Sequence, residues 1–129
     1  MATERVVSIQ WLAVGGGAAL GAWVRWGLGI ALNASILPLG TLIANLGGGL
    51  LMGMALAYFA STSAQDTTRL LVMTGFLGGL TTFSAFSAEA FNFLQKQQYA
   101  WAGAHILSHV LGSLLMTAFG FWLITMLRN

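Results

Sequence analysis

The sequence contains no cysteine, one proline, and charged side chains at only 6% of its 129 positions. The absence of cysteine excludes disulfide bonds, thiolate metal sites and a cysteine nucleophile. Soluble domains carry about 25% charged residues, so the low charge argues against an ordinary soluble domain. The five basic residues are scattered singly, and a basic patch for nucleic acid is therefore absent. With 57% hydrophobic residues, the chain has the composition of a membrane protein.

Four apolar segments are long enough to cross the membrane, since about 30 Å of hydrocarbon requires roughly 20 helical residues. They cover residues 9–32, 37–59, 70–94 and 99–127, and the connections are too short to hold a catalytic centre. We therefore predict one transmembrane domain over residues 1–129, an all-α integral membrane protein with four transmembrane helices, and not an enzyme. The first segment is too long for a signal-peptide core, so we expect it to remain in place.

The third segment is poorly suited to a continuous helix over residues 74–89, TGFLGGLTTFSAFSAE. Its glycines weaken the helix, its serine and threonine hydroxyls lie at membrane depth, and Glu89 adds an ionisable group. Irregular backbone at that depth is tolerated only where it is buried in protein or lines a watery cavity. The pattern predicts that this segment forms the wall of a polar pathway or an ion site. Phe83 and Phe86 share one face there, although such a pair is more often a packing surface.

Polar residues in the first two segments each allow two interpretations. Arg25, between Trp23 and Trp26, is either an interfacial arginine or a buried cation that attracts anions to a vestibule. Thr41 and Asn45 lie four residues apart on one face. The amide of Asn45 is either an interhelical hydrogen-bonding group or a donor that points into a pore.

In the fourth segment, His105, His109, Ser113 and Thr117 recur every four residues and form one polar ridge. A single hydroxyl there can simply bond its own i−4 carbonyl, but four residues in register favour a polar track. The histidine spacing also suits two metal ligands. A transition-metal site is not favoured, because the fourth segment has no carboxylate and Glu89 supplies one only through tertiary packing.

The distribution of charge predicts an antiparallel dimer. Four spans put both termini on one side, together with Arg5, Arg69 and Arg128. Lys96 falls on the other side, and so does Arg25 if it lies near its interface. This bias is too weak to orient the chain, so the protein can insert both ways and pair around a site near the midplane. Four glycine-rich helices are also too few to enclose a pathway alone.

Three motifs resemble the CrcB/Fluc family of bacterial fluoride channels. In order, they are GAWVRW at 21–26, GTLIANLGG at 40–48 and TGFLGGLTTFSAFSAE at 74–89. The resemblance implies an antiparallel, dual-topology homodimer of four-helix subunits in the cell inner membrane. It also implies a broken third helix, two pores and one central, structural sodium ion (Na+).

The resemblance further implies roles for particular residues. Asn45 resembles the pore asparagine whose amide helps to coordinate the anion, and Phe83 and Phe86 resemble the phenylalanines that line the path. Gly78 and Thr81 resemble the positions whose backbone carbonyls hold the sodium. The polar side of the path takes in Thr41, Ser84, Glu89, His109 and Ser113. His105 matches a position that often carries another hydrogen-bonding residue, and its role is left open.

The side-chain chemistry agrees with a passive fluoride-selective channel that exports fluoride and so confers fluoride resistance. Fluoride is strongly hydrated, so its water must be replaced by hydroxyl, amide and imidazole donors or by the positive edge of an aromatic ring. A negative-inside potential drives the anion outward by about 2.3 kcal/mol per charge per 100 mV, without a nucleotide-binding loop.

Two other functions compete with the channel. A proton-coupled exporter of the small multidrug-resistance type depends on a glutamate in its first helix, whereas the one intramembrane acid here is Glu89. A small assembly subunit that packs through Gly17-xxx-Gly21 explains the glycines but not the polar ridge.

Overall fold

The computed structural model describes residues 2–63 and 66–129, and these ranges contain helices and short connections only. Four stretches are long and apolar enough to cross a membrane. We call them the first to fourth spans: Ala2–Leu32, Leu39–Ala60, Asp66–Gln95 and Tyr99–Arg128. The predicted all-α class with four spans is confirmed. The domain predicted over residues 1–129 also includes Met1, Ala64 and Gln65, which lie outside the described residues.

The third span is interrupted, as predicted. Thr81 and Thr82 are extended, with φ/ψ of −82°/153° and −148°/122°. The hydroxyl of Thr82 then accepts a hydrogen bond from the Ala85 N–H at 3.1 Å, which caps the helix that follows. The pieces of the span are an α-turn at Asp66–Arg69, a π-helix at Leu70–Leu77, an α-turn at Gly78–Leu80 and an α-helix at Phe83–Gln95.

Glycines bring the first span against the part of the third span that precedes the break. A methyl group on Gly17 would lie 2.8 Å from the Phe76 nitrogen, and one on Gly21 would lie 2.6 Å from the Leu80 nitrogen. Real side chains do not approach backbone so closely, so these contacts require glycine. The second span packs along the fourth span, and the part of the third span after the break packs there too.

Gly79 and its neighbour Gly78 provide a matched test of this close packing. A methyl group on Gly79 would lie 2.9 Å from Ala18 backbone atoms, whereas one on Gly78 meets only the Met73 carbonyl at 3.8 Å. Overpacking typically costs about 1–3 kcal/mol, so Gly79→Ala is expected to lower the free energy of unfolding by that amount. Gly78→Ala, which gains the same helix propensity, is the control.

The measurement is reversible unfolding in mixed micelles, in sodium-free buffer so that only packing within the subunit is compared. Equal stability of the two variants would show that the first and third spans separate without cost.

Candidate functional site

Asn45 of the second span holds the break of the third span. Its Oδ1 accepts a hydrogen bond from the Thr82 N–H at 2.7 Å, and its Nδ2 donates to the Thr82 carbonyl at 3.0 Å. The same Nδ2 lies 3.0 Å from Nδ1 of His109 on the fourth span. Both backbone groups of an extended residue are thereby satisfied within the protein, which is what irregular backbone at membrane depth requires.

In a continuous helix the carbonyls of Gly78 and Thr81 would accept hydrogen bonds from the N–H groups four residues later. At the break, both of those N–H groups donate to side chains instead. The Thr82 N–H, four residues after Gly78, donates to Asn45. The Ala85 N–H, four residues after Thr81, donates to the Thr82 hydroxyl. The carbonyl oxygens of Gly78 and Thr81 therefore fit a hard cation such as sodium, which prefers oxygen ligands.

Arg25 lies beside the break. Its Nε donates to the Gly79 carbonyl at 3.1 Å, and the side chain is partly buried. It borders a cavity of about 380 Å³ that also reaches Thr41, Thr82 and Glu89. The guanidinium is thus close to the middle of the third span, where it contributes positive charge to this cavity.

Glu89 lies at the junction of three spans. One carboxylate oxygen, Oε1, accepts a hydrogen bond from the Thr41 hydroxyl at 2.6 Å. The other, Oε2, lies 3.4 Å from Nε2 of His105. We call Glu89, His105 and His109 the Glu–His cluster; one ligand-type atom of each lies within 4.8 Å of the others. The carboxylate that the fourth span lacks is therefore supplied by the third.

The Glu–His cluster contains three buried polar atoms without a hydrogen-bond partner among the residues that the structure describes. They are Oε2 of Glu89, Nε2 of His105 and Nε2 of His109. Buried polar groups are nearly always hydrogen-bonded in proteins. Because Oε2 of Glu89 and Nε2 of His105 lie 3.4 Å apart, either a small shift or a small bound species would satisfy them.

Two phenylalanines connect the break to the Glu–His cluster. The ring of Phe86 is buried, 5.4 Å from the ring of His105 and 4.9 Å from that of His109. Phe83 is 5.4 Å from Phe86, but 78% of its surface is exposed. The predicted pair is therefore in contact, with one ring enclosed by histidines and the other on an open surface.

The exposed ring of Phe83 borders a cavity of about 460 Å³ between the second span, the break and the fourth span. Asn45, Phe83, His109, Ser113 and Thr117 are among the residues that line it. Residues of this one chain line the cavity, and it is open on one side.

The predicted hydroxyl residues differ in their surroundings. The Thr117 hydroxyl donates to the Ser113 carbonyl at 2.9 Å. This is the bond to the i−4 carbonyl that a single helical hydroxyl commonly makes. Ser84 is exposed, and its hydroxyl lies 3.2 Å from that of Thr82. It is not among the residues that line the cavity of about 460 Å³.

Asn33 is a site residue that sequence reasoning missed. Its Oδ1 accepts hydrogen bonds from the N–H groups of Gly40 at 2.7 Å and Thr41 at 3.3 Å. Its Nδ2 lies 3.4 Å from the Thr41 hydroxyl, which donates in turn to Glu89. Asparagine is a common helix cap, but a cap normally lies next to the first turn, and Asn33 is too far back along the chain for that pattern.

The fold and the site define a multi-pass membrane protein whose polar side chains, contributed by three spans, converge on a broken helix. A family model described as CrcB-like protein, Camphor Resistance (CrcB), matches residues 12–121. The chain belongs to this CrcB-like family, and the resemblance of its three motifs is thereby confirmed. As a member, it is a multi-pass membrane protein, of the inner membrane in bacteria.

Several curated relatives match most of the chain, and each of those described here bears the name Fluoride-specific ion channel FluC. The protein of Aromatoleum aromaticum is 53% identical over 121 residues, which is 92% of this chain and 92% of that protein. The protein of Pseudomonas putida strain W619 is 56% identical over 112 residues, 84% of this chain and 88% of that one. The protein of Cupriavidus necator is 53% identical over 117 residues, 88% and 93% respectively.

Proposed function

We propose that this protein is a passive, fluoride-selective ion channel, not an enzyme, and that it exports fluoride from the cytoplasm and so confers fluoride resistance. The observation that carries the proposal is the convergence of polar side chains from three spans on the Glu–His cluster, beside the buried ring of Phe86. The names of relatives more than half identical to this chain support fluoride as the transported ion.

The residues around the open cavity suit an anion that must lose its water shell. Hydroxyl and N–H groups replace water as donors, and the edge of an aromatic ring carries partial positive charge. Ser113 and His109 supply such donors, and Phe83 and Phe86 supply ring edges. Conduction requires sites that attract the ion without trapping it, and weak ring-edge contacts meet that requirement.

We infer that the working unit is an antiparallel, dual-topology homodimer. Within one subunit the cavity that holds Phe83 is open on one side, and 78% of that ring is exposed. A second copy would close this cavity, and two inverted copies would provide two pores related by a twofold axis.

We further propose that one sodium ion lies on that axis and holds the two subunits together. The Gly78 and Thr81 carbonyls, whose helical donors are diverted, would supply two oxygen ligands from each copy. Four carbonyl oxygens suit a hard cation, and a fixed positive charge there would favour anions in the pores on either side.

Proton-coupled export by a glutamate is the alternative, and the contacts of Glu89 do not favour it. The carboxylate accepts a hydrogen bond from Thr41 and faces His105. Thr41 and His105 are both buried. Such an exporter would need Glu89 to alternate between substrate and proton in a site that opens to each side in turn.

Efflux from liposomes tests the proposal. Vesicles that contain the purified protein and are loaded with fluoride or chloride are given a potential with valinomycin and followed with ion-selective electrodes. Fluoride is expected to leave rapidly without an imposed proton gradient, while chloride is retained, because chloride is too large to be enclosed by the same donors. Protein-free vesicles are the control.

An absence of fluoride release from folded dimers would contradict the channel. Release that requires an imposed proton gradient would support the exporter instead.

A further inference from the structure

The side-chain amide of Asn45 has only one orientation compatible with its neighbours. The Thr82 N–H must meet an acceptor, which is Oδ1 at 2.7 Å, and the Thr82 carbonyl must meet a donor, which is Nδ2 at 3.0 Å. An amide turned by 180° would oppose donor to donor and acceptor to acceptor. Amide orientation is assigned from the hydrogen-bond network, and here two independent contacts agree.

This orientation decides the tautomer of His109. The amide nitrogen of Asn45 carries two hydrogens; one goes to the Thr82 carbonyl, and Nδ1 of His109 lies 3.0 Å from the same nitrogen. Because Nδ2 of an amide only donates, Nδ1 of the imidazole must accept and carries no proton. The ring proton of a neutral His109 is then on Nε2.

We infer that Asn45 is a positioning residue, which holds His109 of the Glu–His cluster in the Nε2–H tautomer and so keeps this buried N–H available as a hydrogen-bond donor. His109 is 4% exposed, and its Nε2 has no hydrogen-bond partner among the described residues. The donor is therefore available to a small species that enters the cluster. A role for this N–H in fluoride conduction rests on the proposed channel function, whereas the tautomer itself does not.

The same tautomer makes the Glu–His cluster a poor metal site in spite of its composition. Two histidines and a carboxylate within 4.8 Å suggest a zinc-type ion, but a metal needs the lone pair of Nε2. In metal sites the second ring nitrogen of a histidine normally donates its N–H to a carboxylate or carbonyl. At His109 that nitrogen instead receives a hydrogen from Asn45, so Nε2 of His109 presents an N–H to the cluster and not the lone pair that a cation would need.

The wild-type tautomer is measurable by nitrogen-15 NMR of histidine-labelled protein in lipid bilayers, near neutral pH. The chain has two histidines, so His105→Gln leaves one ring and identifies the signals of His109 in the wild-type spectrum. We expect a protonated Nε2 and an unprotonated Nδ1 at His109. A proton on Nδ1, in a neutral or a doubly protonated ring, would overturn the inference.

Asn45→Asp tests whether residue 45 controls the tautomer. A carboxylate accepts, so the ring proton should move to Nδ1, and the Nε2 lone pair becomes free for a metal. Zinc affinity, measured by calorimetry on the purified dimer, is then expected to rise by about 10–100-fold over wild type, the range typical of such supporting carboxylates. The gain should disappear in Asn45→Asp combined with His109→Gln.

An unchanged His109 spectrum, or unchanged zinc affinity, in folded Asn45→Asp protein would overturn the inference. If that variant does not assemble, the wild-type spectrum still decides. Fluoride efflux from wild-type vesicles is an independent readout. Efflux from a protein whose His109 is not in the Nε2–H tautomer would refute only this inference. An absence of efflux would refute the proposed function.

Discussion

Phe83→Ile is expected to reduce fluoride efflux by on the order of 100-fold, equivalent to about 2.7 kcal/mol of barrier, in a protein that remains folded. The reduction follows from losing the positive ring edge, because an aliphatic side chain offers an anion no favourable electrostatic contact. Phe83 is 78% exposed and, among the aromatic rings that the structure describes, contacts Phe86 alone, so its replacement should cost the subunit little stability. Efflux from liposomes and gel filtration of the dimer are the two measurements.

Phe91→Ile is the matched control for that variant. Phe91 lies after the same break, is 60% exposed and lines none of the cavities at the site. Its replacement should leave efflux unchanged. Equal efflux in the two variants would remove Phe83 from the pathway and leave it as a packing or lipid-facing residue.

Asn45→Ala is expected to abolish efflux and to destabilise the protein by about 2–6 kcal/mol. The change leaves the N–H and the carbonyl of Thr82 without their partners, and each buried orphan group costs about 1–3 kcal/mol. The upper end of this range applies if water from the cavity does not replace the amide at membrane depth. Reversible unfolding in micelles measures the loss of stability, and liposome efflux measures the loss of conduction.

Asn92→Ala removes the same side chain from an exposed position near the end of the third span. It should change the free energy of unfolding by less than about 0.5 kcal/mol, as is usual for surface substitutions. If Asn45→Ala were as mild as this control, the break of the third span would have to be held by other contacts.

The sequence by itself determined the class of the protein and the segment that is poorly suited to a continuous helix. Low charge and four apolar segments leave no other architecture, because every backbone polar group in lipid must be satisfied within a helix or barrel. The run of glycines and hydroxyls in residues 74–89 weakens the helix, so this segment was recognisable from residue types, whereas the structure placed the interruption at Thr81 and Thr82. Three specific motifs also identified the family.

Only the tertiary structure decided which polar groups meet. Helical periodicity places His105 and His109 on one face, but it does not specify that Glu89 of another span lies opposite them. That pairing depends on the rotation and crossing of the spans. Close contacts at glycines such as Gly53 and Gly120 bring the second span against the fourth.

The chemical state of the site likewise follows from contacts between distant residues. The donor of Asn45 reaches His109 only because the two spans pack side by side, and Thr82 orients that donor only because the third span is broken there. Asn33 reaches Thr41 through a fold of the connecting chain that no short motif encodes. A side chain's neighbours along the sequence determine its local structure, whereas its hydrogen-bond partners, and so the protonation and orientation of the site, are determined by packing.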